Sequence, residues 1–266
     1  MNNTRKMVFF ANWKIYMRTR KEVDAYVQSI KNNQKIFNTG IIEIQIMTDF
    51  LSFEFVKRNL ASTGIQVGVQ DLFWEDYGAF AGEVSPMMLG DLGCDCAYIG
   101  HSERKSLFCE TDENVNKKVL ACLRNKITPL MFIGETKDEL EAGLTEEVLR
   151  KQLNTGLSKV TEELISKVII IYEPRWAIGQ KESASLETIN DMHVKTRQLL
   201  SEIYSKSAIE PVRVLYGGSV NLDNIKEIIE IKEVDGVGAA RASIDVSNFI
   251  ELIKIMESEA NRRASL

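Results

Sequence analysis

The segment CAYIGHSERK, residues 96–105, contains one of only two histidines in a chain of 266 residues. Four apolar or small residues come first, and a glycine, a histidine and a run of polar and charged side chains follow directly. An apolar run that stops abruptly at polar residues is typical of a buried strand leading into a loop. The segment therefore predicts that His101 is either an ordinary turn residue or a catalytic imidazole at a strand end.

Seven other short runs resemble residues 96–99 in being rich in apolar or β-branched residues. Amphipathic stretches with helical spacing separate them, as in residues 223–232, where isoleucines recur. This alternation predicts eight parallel strands, each followed by helix, and favours a single (β/α)8 barrel domain over residues 1–266. An open doubly wound sheet is the alternative, although no G-x-G-x-x-G follows the first run. The seven runs are Val8–Ala11, Ile41–Met47, Ile65–Val69, Leu130–Ile133, Val168–Tyr172, Val212–Leu215 and Val234–Val237.

Charge and composition narrow the class of protein. The formal net charge is −5, and no basic stripe indicates a nucleic-acid partner. The apolar run Met7–Ala11 is too short for a secretory signal or a membrane span. The four cysteines match no zinc or thioredoxin spacing, which favours free, mostly buried thiols. We therefore expect a cytoplasmic protein with reduced cysteines and no membrane partner.

Polar side chains of different kinds follow several of the predicted strands. Asn12 and Lys14 follow the first, His101 the fourth, Glu173 the sixth and Ser219 the seventh. Each has an ordinary explanation when taken alone, because an isolated lysine is usually solvated and a lone histidine is usually structural. In a (β/α)8 barrel, however, the carboxyl ends of all strands meet at one rim, where active sites lie. The barrel interpretation therefore predicts that these groups converge.

Six segments in consistent order resemble motifs of the triosephosphate isomerase family and span most of the chain. GHSER and YEP-x-WAIG together are highly specific, whereas a glycine-rich GGS alone is not. The segments are ANWK at 11–14, GAFAGEVSPMML at 78–89, YIGHSERK at 98–105, IGET at 133–136, YEPRWAIG at 172–179 and LYGGSVN at 215–221.

The resemblance implies an isomerase that interconverts an aldose phosphate and a ketose phosphate through an enediolate. Glu173 would be the base, with its basicity raised by burial. His101 would polarise the carbonyl as a neutral imidazole, a pattern for which this family is itself the standard example. Lys14 would supply positive charge and Asn12 a hydrogen bond, with Glu103 as the ion-pair partner of Lys14. No metal or organic cofactor is expected.

The same resemblance implies a lid and a phosphate site. The phosphate would bind the backbone N–H groups of Gly179, Ser219, Ala240 and Arg241, together with the Ser219 hydroxyl. The lid would exclude water from the enediolate, as in the worked example that this family provides. Its residues are Pro174, Arg175, Trp176, Ala177 and Ile178.

An aromatic loop and a second histidine complete the expectations. Residues 71–85 carry four aromatic side chains, so this loop either folds back or enters a partner. By resemblance it would enter the second subunit of a homodimer. His193 lies within a helical pattern and is expected to be solvated or to pack against a neighbouring element.

Several residues depart from the family pattern around the substrate. Ala240-Arg241 stands where a Gly-Gly pair is usual, Arg175 where a small apolar residue is usual, and Phe132 where cysteine is usual. Gln180-Lys181 replaces Thr-Gly. An arginine in the last phosphate loop resembles relatives that act on four-carbon ketose phosphates, which makes such an isomerase the alternative. A catalytically silent sugar-phosphate-binding barrel is the alternative of another class.

Overall fold

The computed structural model describes residues 5–38, 40–180 and 183–265. Eight parallel strands form a closed barrel in chain order, with the last strand paired to the first. This closure confirms the predicted (β/α)8 barrel and contradicts the open doubly wound sheet. The strands are β1 (Val8–Asn12), β2 (Glu43–Thr48), β3 (Gln66–Val69), β4 (Cys96–Ile99), β5 (Thr128–Ile133), β6 (Ile169–Tyr172), β7 (Arg213–Tyr216) and β8 (Gly236–Ala239).

Helical segments follow the strands and surround the barrel. Two 3-10 turns, at Arg175–Ala177 and Arg241–Ser243, follow β6 and β8 at the rim. The helices are α1 (Arg20–Asn32), α2 (Gln34–Phe37), α3 (Phe50–Leu60), α4 (Pro86–Asp91), α5 (Ser102–Leu107), α6 (Asp112–Arg124), α7 (Lys137–Glu141), α8 (Thr145–Gly156), α9 (Glu162–Ile165), α10 (Leu186–Ile203), α11 (Lys206–Ile209), α12 (Ile225–Glu230) and α13 (Val246–Ala264).

The strands read as continuous apolar runs because both of their faces are buried. Alternate residues point into the barrel, where Phe10, Tyr98 and Phe132 join aliphatic side chains in one interior cluster. The intervening residues, such as Ile170 and Val214, pack outward against the helices in a second and larger cluster. Burial on both faces explains why the strands appear in the sequence as continuous apolar runs rather than as alternating apolar and polar residues.

The glycines of β8 explain why its predicted position was two residues early. The apolar run predicted Val234–Val237, whereas the strand is Gly236–Ala239. Gly238 is needed because a Cβ built there would lie 1.8 Å from Cε2 of the Phe10 ring. A large side chain on β1 therefore occupies the space next to a glycine on β8, and glycine carries no apolar signal in the sequence.

Helix starts are fixed by side-chain caps. Helix α5 begins at Ser102, directly after His101, whose ring nitrogen accepts a hydrogen bond from the Glu103 N–H. Pro86 occupies the first turn of α4, where its missing N–H costs nothing. Pro129, expected just before a strand, is the second residue of β5. Oxygen-bearing caps occur at Thr19, Asp49, Ser85, Thr111, Thr136, Ser185 and Asp245.

The cysteines are free, as the sequence predicts. Cys94, Cys96 and Cys122 are buried and Cys109 is exposed. Burial raises the pKa of the Cys94 thiol to about 12, so the neutral form is strongly favoured. Within the described ranges, no helix has both the length and the apolar character needed to cross a membrane.

Candidate active site

His101 caps the helix that follows β4. Its Nδ1 accepts a hydrogen bond from the Glu103 N–H at 3.2 Å, so Nδ1 carries no proton in this arrangement. Nε2 lies 3.2 Å from Oε1 of Glu173 and is the nitrogen left to carry the proton. In this arrangement the helix start holds His101 as a neutral imidazole with its Nε2–H directed into the site.

Glu173 follows β6 and is 3% exposed. Its Oε2 accepts the Ser102 N–H at 3.0 Å, and its Oε1 faces His101. Burial acts to raise the pKa of Glu173, but the contacts with His101 and Ser102 favour the charged carboxylate and hold that pKa below its ordinary value. The expected increase in basicity is therefore absent in this conformation, because two donors offset the burial.

Lys14 reaches the same site from the end of β1. Its backbone has a positive φ of 46°, and its N–H donates to Oδ1 of Asn12 at 2.9 Å. Its ammonium donates to Glu103 at 2.5 Å, which is the ion pair that the sequence predicts. The Gln70 amide donates to the Lys14 carbonyl at 2.9 Å. The strained turn after β1 is therefore stabilised by two hydrogen bonds, one from the Lys14 N–H and one to the Lys14 carbonyl.

These groups line one cavity of about 500 Å³ at the carboxyl end of the barrel. The cavity brings together all eight residues predicted for catalysis and phosphate binding. Glu103, predicted as the ion-pair partner of Lys14, contacts Lys14 and does not line the cavity. Of the predicted lid residues, Ile178 faces the cavity and the other four do not. The predicted site residues on the wall are Asn12, Lys14, His101, Glu173, Gly179, Ser219, Ala240 and Arg241.

The lid between β6 and α10 is anchored by contacts that sequence reasoning missed. Trp176 donates its indole N–H to Glu135 at 2.7 Å, and the Tyr172 hydroxyl lies 3.1 Å from the same carboxylate. At the other end, the Ala184 N–H donates to the Tyr216 hydroxyl at 3.0 Å. Glu135 lies in the IGET motif and Tyr216 in LYGGSVN, so the motifs contain both residues without revealing their partners.

The Ser219 hydroxyl forms hydrogen bonds with the lid. It donates toward the carbonyls of Ala177, at 2.8 Å, and Gln180, at 3.1 Å. It was expected to reach the phosphate, but the lid carbonyls occupy its only proton. Gly179 has a φ of 77°, which suits glycine at the lid tip. The altered hinge residue Lys181 lies outside the described residues.

Arg241 begins the 3-10 turn after β8 and is exposed at the cavity wall. Within the described parts of the chain, its guanidinium has neither an ion-pair nor a hydrogen-bond partner. Lys14, the other cation on the wall, is already paired with Glu103. Arg241 is thus the cation at this cavity that is available to an anionic ligand.

Aromatic rings form the cavity floor beneath His101. Phe132 contacts the imidazole edge-on with ring centroids 5.0 Å apart, and Phe10 packs against Phe132. The Tyr98 ring lies parallel to His101 at 5.9 Å. The Tyr98 hydroxyl is buried and has no hydrogen-bond partner among the described residues. Phe132, singled out in the sequence as a departure, therefore supports the histidine directly.

His193 is a packing residue. It is fully buried in α10, and its Nδ1 lies 2.7 Å from the Ile189 carbonyl. Burial lowers its pKa to about 4, so it is neutral at physiological pH. The expectation of helix packing is met, and a solvated position is excluded.

The aromatic loop folds back only in part. Phe73 packs against Trp74 and Phe80 with centroids 4.1 and 4.7 Å apart. Asp76 accepts hydrogen bonds from Arg124 and Asn125 on the α6 side, which anchors the loop directly before Tyr77. Tyr77, near the tip, remains 89% exposed.

Comparison with known proteins agrees with this arrangement. The family model described as triosephosphate isomerase matches residues 7–256. The chain belongs to the triosephosphate isomerase family. The triosephosphate isomerase of Dictyoglomus turgidum is 38% identical over 94% of this chain and 99% of its own length. That of Citrifermentans bemidjiense is 40% identical over 95% of this chain and all of its own, and that of Streptococcus mutans is 36% identical over 96% and all of its own.

Membership in the triosephosphate isomerase family confirms the resemblance carried by the six motifs. The match leaves out only short segments at the two ends of the sequence, so the barrel as a whole is the matched unit. Each of the relatives named above bears the same enzyme name.

Proposed function

We propose that the chain is a triosephosphate isomerase, interconverting dihydroxyacetone phosphate and D-glyceraldehyde 3-phosphate. The observation that carries this proposal is the placement of a buried carboxylate 3.2 Å from a neutral imidazole nitrogen, in a cavity that also contains a lysine. Abstraction of a proton next to a carbonyl needs a base within reach of that proton and an electrophile for the carbonyl oxygen, and the cavity holds both groups. Family membership supports the same reaction.

In the proposed mechanism, Glu173 removes a proton from the carbon next to the carbonyl and returns it to the neighbouring carbon. His101 donates its Nε2 proton to the carbonyl oxygen on which negative charge develops and takes up the proton of the neighbouring hydroxyl, so that the two oxygens exchange roles, and Lys14 stabilises the enediolate by its positive charge. Asn12 donates a hydrogen bond to the substrate oxygens. Glu103 positions the Lys14 ammonium, as their 2.5 Å contact indicates.

Substrate binding would strengthen the base. In the free chain, His101 and Ser102 stabilise the Glu173 carboxylate. As the carboxylate turns toward the substrate carbon, it gives up these donors while it stays buried. The pKa of Glu173 then rises, because burial is the contribution that persists.

We infer that the phosphate binds at the opposite end of the cavity, at the backbone N–H groups of Gly179, Ser219, Ala240 and Arg241. These residues line the wall together, and the Arg241 guanidinium adds a charge-assisted donor. This arrangement explains how a chain with net charge −5 can hold an anion. The lid, Pro174–Ile178, would then separate the enediolate from water.

We propose that the chain acts as a single barrel domain, residues 1–266, in a cytoplasmic homodimer. The exposed tip at Tyr77 supports an interface through residues 71–85. Leu51 and Ile15 are 94% and 87% exposed at the same rim of the molecule, and Leu107 and Phe108 are also exposed. Apolar side chains in such number are typical of a surface that a second subunit covers.

The test is kcat/KM for dihydroxyacetone phosphate and for L-erythrulose 1-phosphate, measured on one preparation. A value near the diffusional ceiling of ~10⁸–10⁹ M⁻¹s⁻¹ for the triose, a limit that triosephosphate isomerases themselves illustrate, would establish the proposal. A weak triose rate beside a clearly higher tetrulose rate would replace it with the four-carbon alternative.

The Glu173→Gln variant is the control for both substrates. It keeps the shape of the side chain and should lower the rate at least ~10²-fold. This variant also excludes a contaminating host isomerase, whose activity would be the same in both preparations. Equal rates for the parent and the variant on every sugar phosphate would instead favour the catalytically silent barrel.

A further inference from the structure

Three hydrogen bonds connect the base, the lid and helix α5 in a ring. The Ser102 N–H donates to Glu173 at 3.0 Å, and the Ser106 hydroxyl donates to the Ser102 carbonyl at 2.8 Å. The Arg175 guanidinium donates to the Ser106 hydroxyl at 2.9 Å. Arg175 is two residues after Glu173, so the chain itself closes the ring. The base and the hinge of the lid are thus both fastened to the helix that begins at His101.

The position of Arg175 differs from that of an ordinary surface arginine. Its side chain lines a narrow crevice together with Glu173, Gly100 and Ser102. Its Nε is buried and, within the described ranges, has no hydrogen-bond partner. No carboxylate among the described residues pairs with it, so the Ser106 hydroxyl is the partner that orients the guanidinium. The backbone is fixed as well, because the Arg175 N–H donates to the Glu135 carbonyl at 2.9 Å.

We propose that Arg175 is a positioning residue, which couples the hinge of the lid to α5 through Ser106 so that the lid and the base keep one geometry relative to His101. This inference rests on the proposed roles of Glu173 and His101. Proton transfer needs the reacting groups in near-attack geometry, and a displacement of about 1 Å can cost on the order of 10²-fold in rate. Arg175 acts through Glu173 and the lid, without touching the substrate.

A double-mutant cycle in Arg175→Met and Ser106→Ala tests the coupling. Met keeps the length of the side chain, and Ala is well tolerated in a helix, so neither change should unfold the chain. Each single variant should lower kcat by about three- to tenfold with little change in KM, and the double variant should be no slower than the slower single one. Effects that multiply, or an unchanged kcat, would overturn the proposal.

The matched control is Arg150→Met. Arg150 is a partly exposed arginine on α8 whose partners are Glu146 and Glu202. The Arg150→Met variant removes the same charge and the same hydrogen-bond donors as Arg175→Met, but at a site away from the cavity. The parental kcat and KM are expected for this variant, and a loss equal to that of Arg175→Met would mean that the change in net charge explains the result.

A second measurement follows the environment of Trp176, at the hinge of the lid, and does not depend on catalysis. The chain has three tryptophans, so 5-fluorotryptophan labelling should give three ¹⁹F resonances. In the free chain, Arg175→Met and Ser106→Ala should shift or broaden the Trp176 resonance in the same way and leave those of Trp13 and Trp74 unchanged. An unaffected Trp176 resonance would overturn the proposal. If the parent chain lacks isomerase activity, the proposed function fails, and this measurement still decides whether the tether holds the hinge.

Discussion

The charged side chains at the two ends of the cavity differ in whether they have partners within the protein. At the reaction end, each charged side chain has a partner in the protein: Glu173 contacts His101 and Ser102, and Lys14 contacts Glu103. At the end where we propose that the phosphate binds (the phosphate end), the available groups are backbone N–H groups and the Arg241 guanidinium, which has no partner in the described structure. One end is assembled before the substrate arrives, and the other is left for the substrate to complete.

The difference matches what each end has to do. The reaction end must stabilise charge that appears only in the transition state, so its groups have to be oriented in advance. The phosphate is charged throughout the reaction, so its site contributes mainly to binding. Changes at the reaction end should therefore act on kcat, and changes at the phosphate end on KM.

The largest effect is expected from His101→Gln. This variant removes the Nε2–H that faces Glu173 at 3.2 Å. Loss of one preorganised donor to a developing oxyanion typically costs about 10²- to 10³-fold in kcat. We expect a loss of that size with a small change in KM, measured by steady-state kinetics on dihydroxyacetone phosphate.

The other histidine provides the control. His193 is buried in α10 and does not line the cavity, so His193→Gln should lower the melting temperature and leave kcat at the parental value. A kcat for His101→Gln within twofold of the parent, or a large loss of kcat in His193→Gln, would contradict the assignment of the reaction end.

The convergence of Asn12, Lys14, His101 and Glu173 on one cavity could be predicted from the sequence, because these residues lie in short motifs directly after strands. Asn12, Lys14, His101 and Glu173 could be placed at one rim once the alternation of strands and helices indicated a barrel. Glu135 could not be assigned in this way, although it lies within a motif. Its role depends on Trp176, 41 residues later, whose indole reaches it only in the folded chain.

The next effect is expected from Arg241→Gly at the phosphate end. A hydrogen bond to a charged group contributes about 1.5–3 kcal/mol, so KM should rise by about tenfold or more while kcat changes little. Added salt should raise the parental KM more than that of the variant, because the exposed guanidinium is screened.

Arg241→Lys separates charge from geometry. Lysine keeps the positive charge but lacks the planar fork that binds phosphate through two parallel donors. An intermediate KM is expected for this variant. If Arg241→Gly leaves KM unchanged for every sugar phosphate tested, the guanidinium points away from the ligand and the phosphate end consists of backbone groups alone.

A titration of Glu173 sharpens the comparison at the reaction end. With ¹³C-labelled glutamate, the Glu173 signal, assigned by its absence in Glu173→Gln, should titrate below the ordinary carboxyl range in the free chain. In His101→Gln its midpoint should move upward, because burial still raises the pKa while one of the contacts that lower it is gone. A midpoint that stays fixed or moves downward would show that His101 does not stabilise the carboxylate.

The phosphate end and the supporting contacts were harder to predict from the sequence. Arg241 and Arg175 stood out as departures, but their partners depend on tertiary contacts. Nothing in the sequence indicates that the Ser106 hydroxyl accepts a hydrogen bond from Arg175, or that the Arg241 guanidinium has no partner among the described residues. Ser219 was assigned to the phosphate through its hydroxyl, whereas that proton is directed to the lid.

The smallest effect is expected beneath the reaction end, where the Tyr98 hydroxyl, unlike the charged groups above it, has no partner among the described residues. The Tyr98 hydroxyl is buried without a partner in the described structure, whereas the equally buried Tyr216 hydroxyl accepts the Ala184 N–H at 3.0 Å. Tyr98→Phe should raise the free energy of unfolding by about 1 kcal/mol, and Tyr216→Phe should lower it by a similar amount. Both are measured from urea midpoints at one protein concentration, which keeps any contribution from dimer formation constant. A loss of stability in Tyr98→Phe would reveal a hydrogen-bond partner inside the barrel, such as a buried water, and the pairing at the reaction end would then extend to its floor.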